Sequence, residues 1–302
     1  MFGVGANWGQ HRIQSKRIAT GGSMLAEARR STPATDTLEH LEMTVLDRFR
    51  LDGKQLFITG GSRGLGREMA LAIADAGADV VLAGRTIESL EEAAEQIRRI
   101  GRRATTIQAD IGDTDACQAA CETALREAGA IDILINNVGG RRESIPTEEM
   151  PLSKWRELMD LNLTSAFICT KLIGGAMVER GRGGRIINIA SINAIVATRG
   201  IAGRHYETAK AALVQFTRAT AVDWAEHRIT VNAICPGTFM TEPNQRWAKT
   251  NPELMEGIRS QIPAGSFGEP QDLGPLAVYL ASDAARYMTG AALVIDGGLT
   301  LC

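Results

Sequence analysis

Seven short runs of β-branched and aliphatic residues, nearly free of polar interruptions, recur between longer segments of helical periodicity from Leu51 onward. The runs are Gln55–Thr59, Asp79–Ala83, Ala104–Ala109, Ile131–Asn136, Arg185–Ala190, Ile229–Ile234 and Ala291–Ile295. Between them, Leu65–Ala76, Ile87–Ile100, Ala116–Ala128, Leu152–Glu179 and Tyr206–Ala225 repeat their apolar residues about every 3.6 positions. A strand that is apolar throughout, such as Ile131-Asp-Ile-Leu-Ile, must be covered on both faces, and strands joined through helices must run parallel. The pattern predicts an α/β fold: a doubly wound parallel sheet of about seven strands with helices on both faces. In such a sheet a ligand lies beyond the carboxyl ends of the strands, where their order reverses. Function is therefore to be sought in the loops that follow the strands.

Charge and composition narrow the partners. The 302 residues carry 33 basic and 35 acidic side chains, a formal net charge of -2, which gives no electrostatic reason to expect nucleic acid or an anionic membrane. No uninterrupted apolar run reaches the roughly 18 residues needed to cross a bilayer. The reading is a soluble protein with neither a nucleic-acid nor a membrane partner. Five cysteines in a chain of this size suggest no disulfide framework. Cys117 and Cys121, four apart, resemble a metal half-site, but no other Cys or His pair stands at ligand spacing. They read as small buried hydrophobes, and no metal is expected.

Residues 1–50 differ from the rest. No acidic residue precedes Glu27, whereas Arg12, Lys16, Arg17, Arg29 and Arg30 are basic. This reads as a flexible or targeting-like extension, either an organelle presequence or a stretch upstream of the working start, ahead of one domain over 51–302. No apolar core follows the basic residues, so secretion is not expected and the cytoplasm is. Gly3, Gly5 and Gly9 follow no strand, which excludes a phosphate loop there.

The first strand runs into Thr59-Gly60-Gly61-Ser62-Arg63-Gly64-Leu65-Gly66, and a helical pattern follows at once. Glycines at this turn let the backbone approach a pyrophosphate, while free amides at a helix start supply donors and positive potential. At the end of the second strand, where a carboxylate would hold the ribose 2′-hydroxyl of NAD, the chain has Gly84-Arg85. Arg85, with Arg63 inside the turn, suits a 2′-phosphate, so NADP(H) is expected over NAD. Asp110, ending the third strand beside Ile111, can accept from the adenine amino group.

Tyr206 and Lys210 are four apart in a helical segment, so the ammonium favours ionisation of a phenol whose unperturbed pKa is about 10. Ser191 ends a buried strand fifteen residues earlier and would emerge at the sheet's carboxyl edge, within reach of a substrate oxygen. No Gly-x-Ser-x-Gly elbow occurs, which argues against a serine hydrolase.

Thr-Gly-x3-Gly-x-Gly at 59–66, Asn136-Asn137-Val138-Gly139, Asn162, Ser191, Tyr206-x3-Lys210, Pro236-Gly237 and Asp296-Gly297-Gly298 stand in the order found in the short-chain dehydrogenase/reductase family, which the chain resembles over about 250 residues. The resemblance implies a Rossmann-type fold and a hydride exchanged between nicotinamide and substrate carbon. Tyr206 would be the general acid/base, Ser191 would polarise the reacting oxygen, Lys210 would bind the nicotinamide ribose and lower the tyrosine pKa, and Asn162 would hold a water in the proton relay. Gly60, Ser62, Arg63, Gly64, Leu65, Gly66, Arg85, Asp110, Ile111, Asn137, Gly139, Tyr206, Lys210, Pro236, Gly237 and Thr241 would line the cofactor. Val138 replaces a usual alanine, two residues are inserted between Ser191 and Tyr206, and Ser266 replaces a frequent arginine.

Within that family the glycine turn, with basic residues after Asn-Asn-x-Gly, looks like the gluconate 5-dehydrogenase and sugar-acid dehydrogenase group. Arg141 and Arg142 would then meet a substrate carboxylate, and Ser191, Asn193, His205 and Tyr206 the substrate hydroxyls. Residues 238–262, polar and irregular, suit a lid. An alternative is a 3-oxoacyl-thioester reductase whose carrier-protein partner would meet Arg141, Arg142 and Arg199. Another is a non-catalytic NADP-binding redox sensor, against which the retention of Tyr206 and Lys210 speaks. A homotetramer or homodimer is implied, packed through small residues of the two long helices: Ala166, Gly174, Gly175, Ala209, Ala211 and Ala212.

Overall fold

The computed structural model describes residues 44–197 and 202–302. The targeting-like features and the early glycines lie outside the described residues, as does Arg199. Residues 44–50, assigned from sequence to the extension, form a 3-10 turn at Leu46–Phe49 whose Phe49 ring lies 6.0 Å from Tyr279.

The seven strands are β1 (Gln55–Thr59), β2 (Asp79–Gly84), β3 (Ala104–Gln108), β4 (Ile133–Asn136), β5 (Gly184–Ile189), β6 (Ile229–Pro236) and β7 (Ala292–Ile295). They form one parallel sheet in the order β3-β2-β1-β4-β5-β6-β7. Helices α1 (Gly64–Asp75), α2 (Ile87–Arg99), α3 (Thr114–Ala128), α4 (Leu152–Arg180) and α5 (His205–Trp224) provide the main crossovers. The order reverses between β1 and β4, so the crevice opens above those two strands. Two apolar clusters, one built on Leu56 and Ile58 and the other on Phe57 and Leu134, fill the two sides, as wholly apolar strands require.

Helix α4 differs from its expected form. Its length and mean hydropathy of 1.4 would suit a membrane span, although no uninterrupted apolar run exists; here it packs between α3, β4 and α5. Two π-turns, Asp160–Thr164 and Thr170–Gly174, interrupt its α-helical hydrogen bonding. Such turns rotate the remainder of a helix about its axis and often mark functional positions; the first contains Asn162. Of the small residues assigned to subunit packing, Ala166, Gly174 and Ala209 instead face the core, and a Cβ on Gly174 would collide with the Trp224 ring. Residues 238–262, expected to be irregular, contain α6 (Glu242–Thr250) and α7 (Pro252–Arg259). A last helix, α8 (Leu273–Ala281), packs on α1.

A buried polar chain ties the sheet to both long helices. Asn136 Nδ2 donates to Asn188 Oδ1 at 2.8 Å and to Thr170 Oγ1 at 3.1 Å, while Asn188 Nδ2 donates to Thr217 Oγ1 at 2.8 Å. Buried groups joined in this way stabilise only while every partner is present. Asn188→Ala is expected to cost on the order of 3 kcal/mol by orphaning these groups and opening a small cavity. In denaturant titrations the midpoint should fall while the slope stays unchanged.

Candidate active site

The glycine turn is held in place by the neighbouring strand. Asn137 Nδ2 donates to the carbonyls of Thr59 (3.0 Å) and Gly60 (3.1 Å), and Thr59 Oγ1 accepts from the amides of Asn137 (3.0 Å) and Val138 (3.2 Å). Gly60 and Gly64 have φ of 68° and 55°, which a side chain would strain, and a Cβ on Gly66 would run into the Gly60 carbonyl. Thr59 opens the motif in the sequence, but the role of its hydroxyl is visible only once the fold brings it opposite the β4 loop.

Above the turn lies a cleft of about 570 Å³. Gly60, Ser62, Arg63, Gly64, Leu65, Gly66, Arg85, Asp110, Ile111, Asn137, Gly139, Tyr206, Lys210, Pro236, Gly237 and Thr241 all line it, as do Ser191, Arg141 and Arg142. Thr86 and Ser89, at the start of α2, also line it and were not expected from sequence. The first amides of α1 have no side-chain cap. Arg63, Arg85 and Arg142 line one cleft without an ion pair among the described residues. Open amides and unneutralised guanidinium groups are the donor set that a phosphorylated dinucleotide requires, so the residues present fit that group.

At the other end the half-buried Tyr206 presents its phenol beside the Ser191 hydroxyl. Burial pushes its pKa up, while the neighbouring Ser191 hydroxyl and the Arg141 charge pull the other way. Lys210 Nζ donates to the Ile189 carbonyl at 2.8 Å and lies 5.9 Å from the Tyr206 ring centroid. Burial without a carboxylate lowers its pKa to about 8. Ser191 Oγ accepts from the Asn193 amide at 3.1 Å, which fixes the serine at the carboxyl end of β5. Gly139 leaves the space between Lys210 and Asn162, where a Cβ would stand 2.8 Å from Nζ and 2.9 Å from Oδ1.

Three expected roles look different in three dimensions. Both Asn162 amide hydrogens are engaged, donating to Gly140 O (3.0 Å) and Leu158 O (2.8 Å), and its Oδ1 accepts from the Gly140 amide at 2.8 Å. Its side chain therefore pins the β4 loop, and only an oxygen lone pair or its backbone remains for water. Arg142, with φ of 61°, feels the charges of Arg85, Arg63 and Asp110, residues that follow β2, β1 and β3. Arg141 is paired with Glu207 at 2.9 Å rather than left open to a substrate.

His205, fully buried, donates from Nε2 to the Arg141 carbonyl at 2.9 Å, and its Nδ1 has no hydrogen-bond partner among the described residues. It lines a second, smaller cavity of about 230 Å³ with Trp155 and Met150, outside the main cleft. Asn193 Nδ2 donates to Glu207 at 3.4 Å. Cys117 and Cys121 are joined by Cys169, whose sulfur lies 3.6 Å from each, and all three are fully buried in the core between α3 and α4. Linear spacing could not reveal this third thiol, since it stands on another helix.

A family model described as enoyl-(acyl carrier protein) reductase matches residues 60–300. An uncharacterized oxidoreductase of Mycobacterium tuberculosis is 42% identical over 85% of this chain and 95% of that protein. The 2-dehydro-3-deoxy-D-gluconate 5-dehydrogenase of Dickeya dadantii is 38% identical over 84% of this chain and 98% of that protein. Among solved structures, a gluconate 5-dehydrogenase from Burkholderia cenocepacia in complex with NADP and tartrate is 35% identical, with a TM-score of 0.79 over 86% of this chain and 100% of that one.

The lysine generates a stability prediction. Its proton is held to higher pH in the unfolded chain than in the folded one, so this group's contribution makes the fold more stable as pH rises from about 8 toward the ordinary lysine value. Lys210→Met, which removes the buried charge at similar volume, should raise Tm by a few degrees below pH about 8. The advantage over the unsubstituted protein should shrink at higher pH in thermal melts.

Proposed function

The chain belongs to the short-chain dehydrogenase/reductase family and is an oxidoreductase acting on alcohol groups, and on that premise we propose that it interconverts a secondary alcohol and a ketone of a sugar acid or keto-sugar with NADP(H). The observation that carries this reading is the convergence of the Ser191 and Tyr206 hydroxyls and the Lys210 ammonium at one end of a cleft whose other end is a glycine turn. A bound nicotinamide would supply or take the hydride there. Ser191 and Tyr206 would both hydrogen-bond the reacting oxygen, and Tyr206 would give it a proton in reduction or take one in oxidation. Lys210 would hold the nicotinamide ribose and offset the charge of the phenolate. Asn162 would keep the β4 loop against this group through Gly140.

NADP is favoured by Arg63 and Arg85 beside the position of an adenosine 2′-phosphate, to which Arg142 adds a third cation. The Dickeya and Burkholderia relatives support a polyhydroxylated acid as the substrate class. The description of the matching family model supports a second reading, reduction of an acyl thioester. Phe167 and Val222, 47% and 77% exposed on α4 and α5, together with the outward-facing Gly175 and Ala211, support a homodimer or homotetramer. We take the protein to work in the cytoplasm on small molecules, with 238–262 as a lid over them.

Sugar acids, keto-sugars and acyl thioesters assayed in parallel with NADP(H) and NAD(H) separate these readings. Sugar-acid or keto-sugar turnover is expected, and turnover of thioesters alone would replace the substrate assignment. Tyr206→Phe should lose at least about a thousandfold in kcat while still binding nucleotide. Arg85→Ala should lose roughly tenfold or more in kcat/KM with NADP and little with NAD. An unchanged cofactor preference in that variant would contradict the clamp.

A further inference from the structure

Arg141 is a polar residue built into the proton-transfer site without a part in the exchange of hydride and proton assigned to Ser191, Tyr206 and Lys210. Its Nη1 donates to the carbonyls of Ala202 (2.9 Å) and Gly203 (3.0 Å) and to Glu207 Oε2 (3.1 Å), and its Nη2 donates to Glu207 Oε1 (2.9 Å). The two side chains are only 19% and 11% exposed. The planar fork is thus fixed from two directions, and its central carbon stands 5.0 Å from the Tyr206 ring centroid, nearer than the Lys210 nitrogen at 5.9 Å. The Nη1–Nη2 edge of this fork is thus taken by an internal two-point ion pair rather than offered to a substrate carboxylate.

We propose that Arg141 is a positioning residue for proton transfer at Tyr206: a guanidinium that Glu207 clamps against the phenol ring, where it favours the phenolate. This rests on the reading of Tyr206 as the acid/base. A cation over an aromatic face is attracted by the ring in the neutral phenol, and more strongly once the ring carries charge. Lysine at this site loses charge within the working pH range, because burial has brought Lys210 down to about 8. A guanidinium does not lose its charge, so Arg141 gives the phenol a cation that is independent of pH. Glu207, the next residue along α5, opposes it, but the guanidinium has the larger effect on the phenol. Among the described residues, the other groups facing Tyr206 are Lys210 on its own helix, Ser191 after β5 and Cys235 on β6. Arg204 meets the same Glu207 carboxylate at 3.1 Å.

The test reads the phenol directly. The acidic limb of the pH profile for alcohol oxidation, and an ultraviolet titration of the phenolate band with Tyr206→Phe as the reference, are compared in the unsubstituted protein, Arg141→Met and Glu207→Gln. Removing the guanidinium should move the limb and the titration upward by about one pH unit, a tenfold change in ionised phenol at fixed pH. Neutralising the carboxylate should move both downward. An ion pair that merely braces the loop predicts that both variants shift alike or not at all, and either result overturns the proposal. Should Arg141→Met fail to fold, Arg141→Gln, which keeps a donor for the loop carbonyls but no charge, takes its place: an upward shift supports the proposal, and no shift or a downward one overturns it. If the phenolate titrations move as expected while no carbonyl compound is turned over, the dehydrogenase reading fails and the electrostatic role of Arg141 stands.

Discussion

Everything at the crevice depends on how the end of β4 grips the end of β1. A parallel sheet leaves its strand ends ragged, and the glycine turn after β1 has no side chains with which to hold its own shape. Asn137 and Thr59 close the gap with four hydrogen bonds between the two loops. The turn is thereby fixed, and α1 begins immediately beyond it at Gly64. Asn162 extends the same grip to Gly140 from a π-turn of α4. The result is a floor that spans the switch point, with Arg63 and Arg85 on one side and Ser191, Tyr206 and Lys210 on the other.

At the Tyr206 end of the cleft the decisive balance is between burial and charge. Burial alone makes the phenol harder to ionise and the ammonium easier to discharge, and both shifts oppose the proposed chemistry. The fold answers with the Ser191 hydroxyl and a second cation, Arg141, held in place by a carboxylate that sits next to the tyrosine in the chain. Such a site is costly to fold around and is stable because the surrounding core is extensive: both sides of the sheet are filled by continuous apolar clusters.

Much of this was legible in the linear chain, for a physical reason. Strands apolar on both faces, a glycine turn between a strand and a helix, and a tyrosine four residues before a lysine are local patterns, and local geometry carries them into the structure unchanged. The cleft-lining residues follow from being at strand ends. What escaped was set by contacts between distant segments. Arg141 and Glu207 are 66 positions apart, and nothing in either neighbourhood announces the pair. Arg142 adopts a left-handed backbone with φ of 61°, which sequence does not specify for an arginine. Cys169 meets Cys117 and Cys121 only because α4 lies on α3, and Ala166, Gly174 and Ala209 pack inward for the same kind of reason.

The central claim, that Tyr206 and Ser191 together address the oxygen of a carbonyl presented from the nucleotide crevice, is tested most directly by a crystal structure with NADP and a non-reacting keto-sugar or hydroxy-acid analogue. The account predicts the pyrophosphate over the turn at Gly60–Gly66 and both hydroxyls within hydrogen-bond distance of the analogue's oxygen. A nucleotide bound away from that turn, or an analogue oxygen out of reach of the phenol, would contradict it.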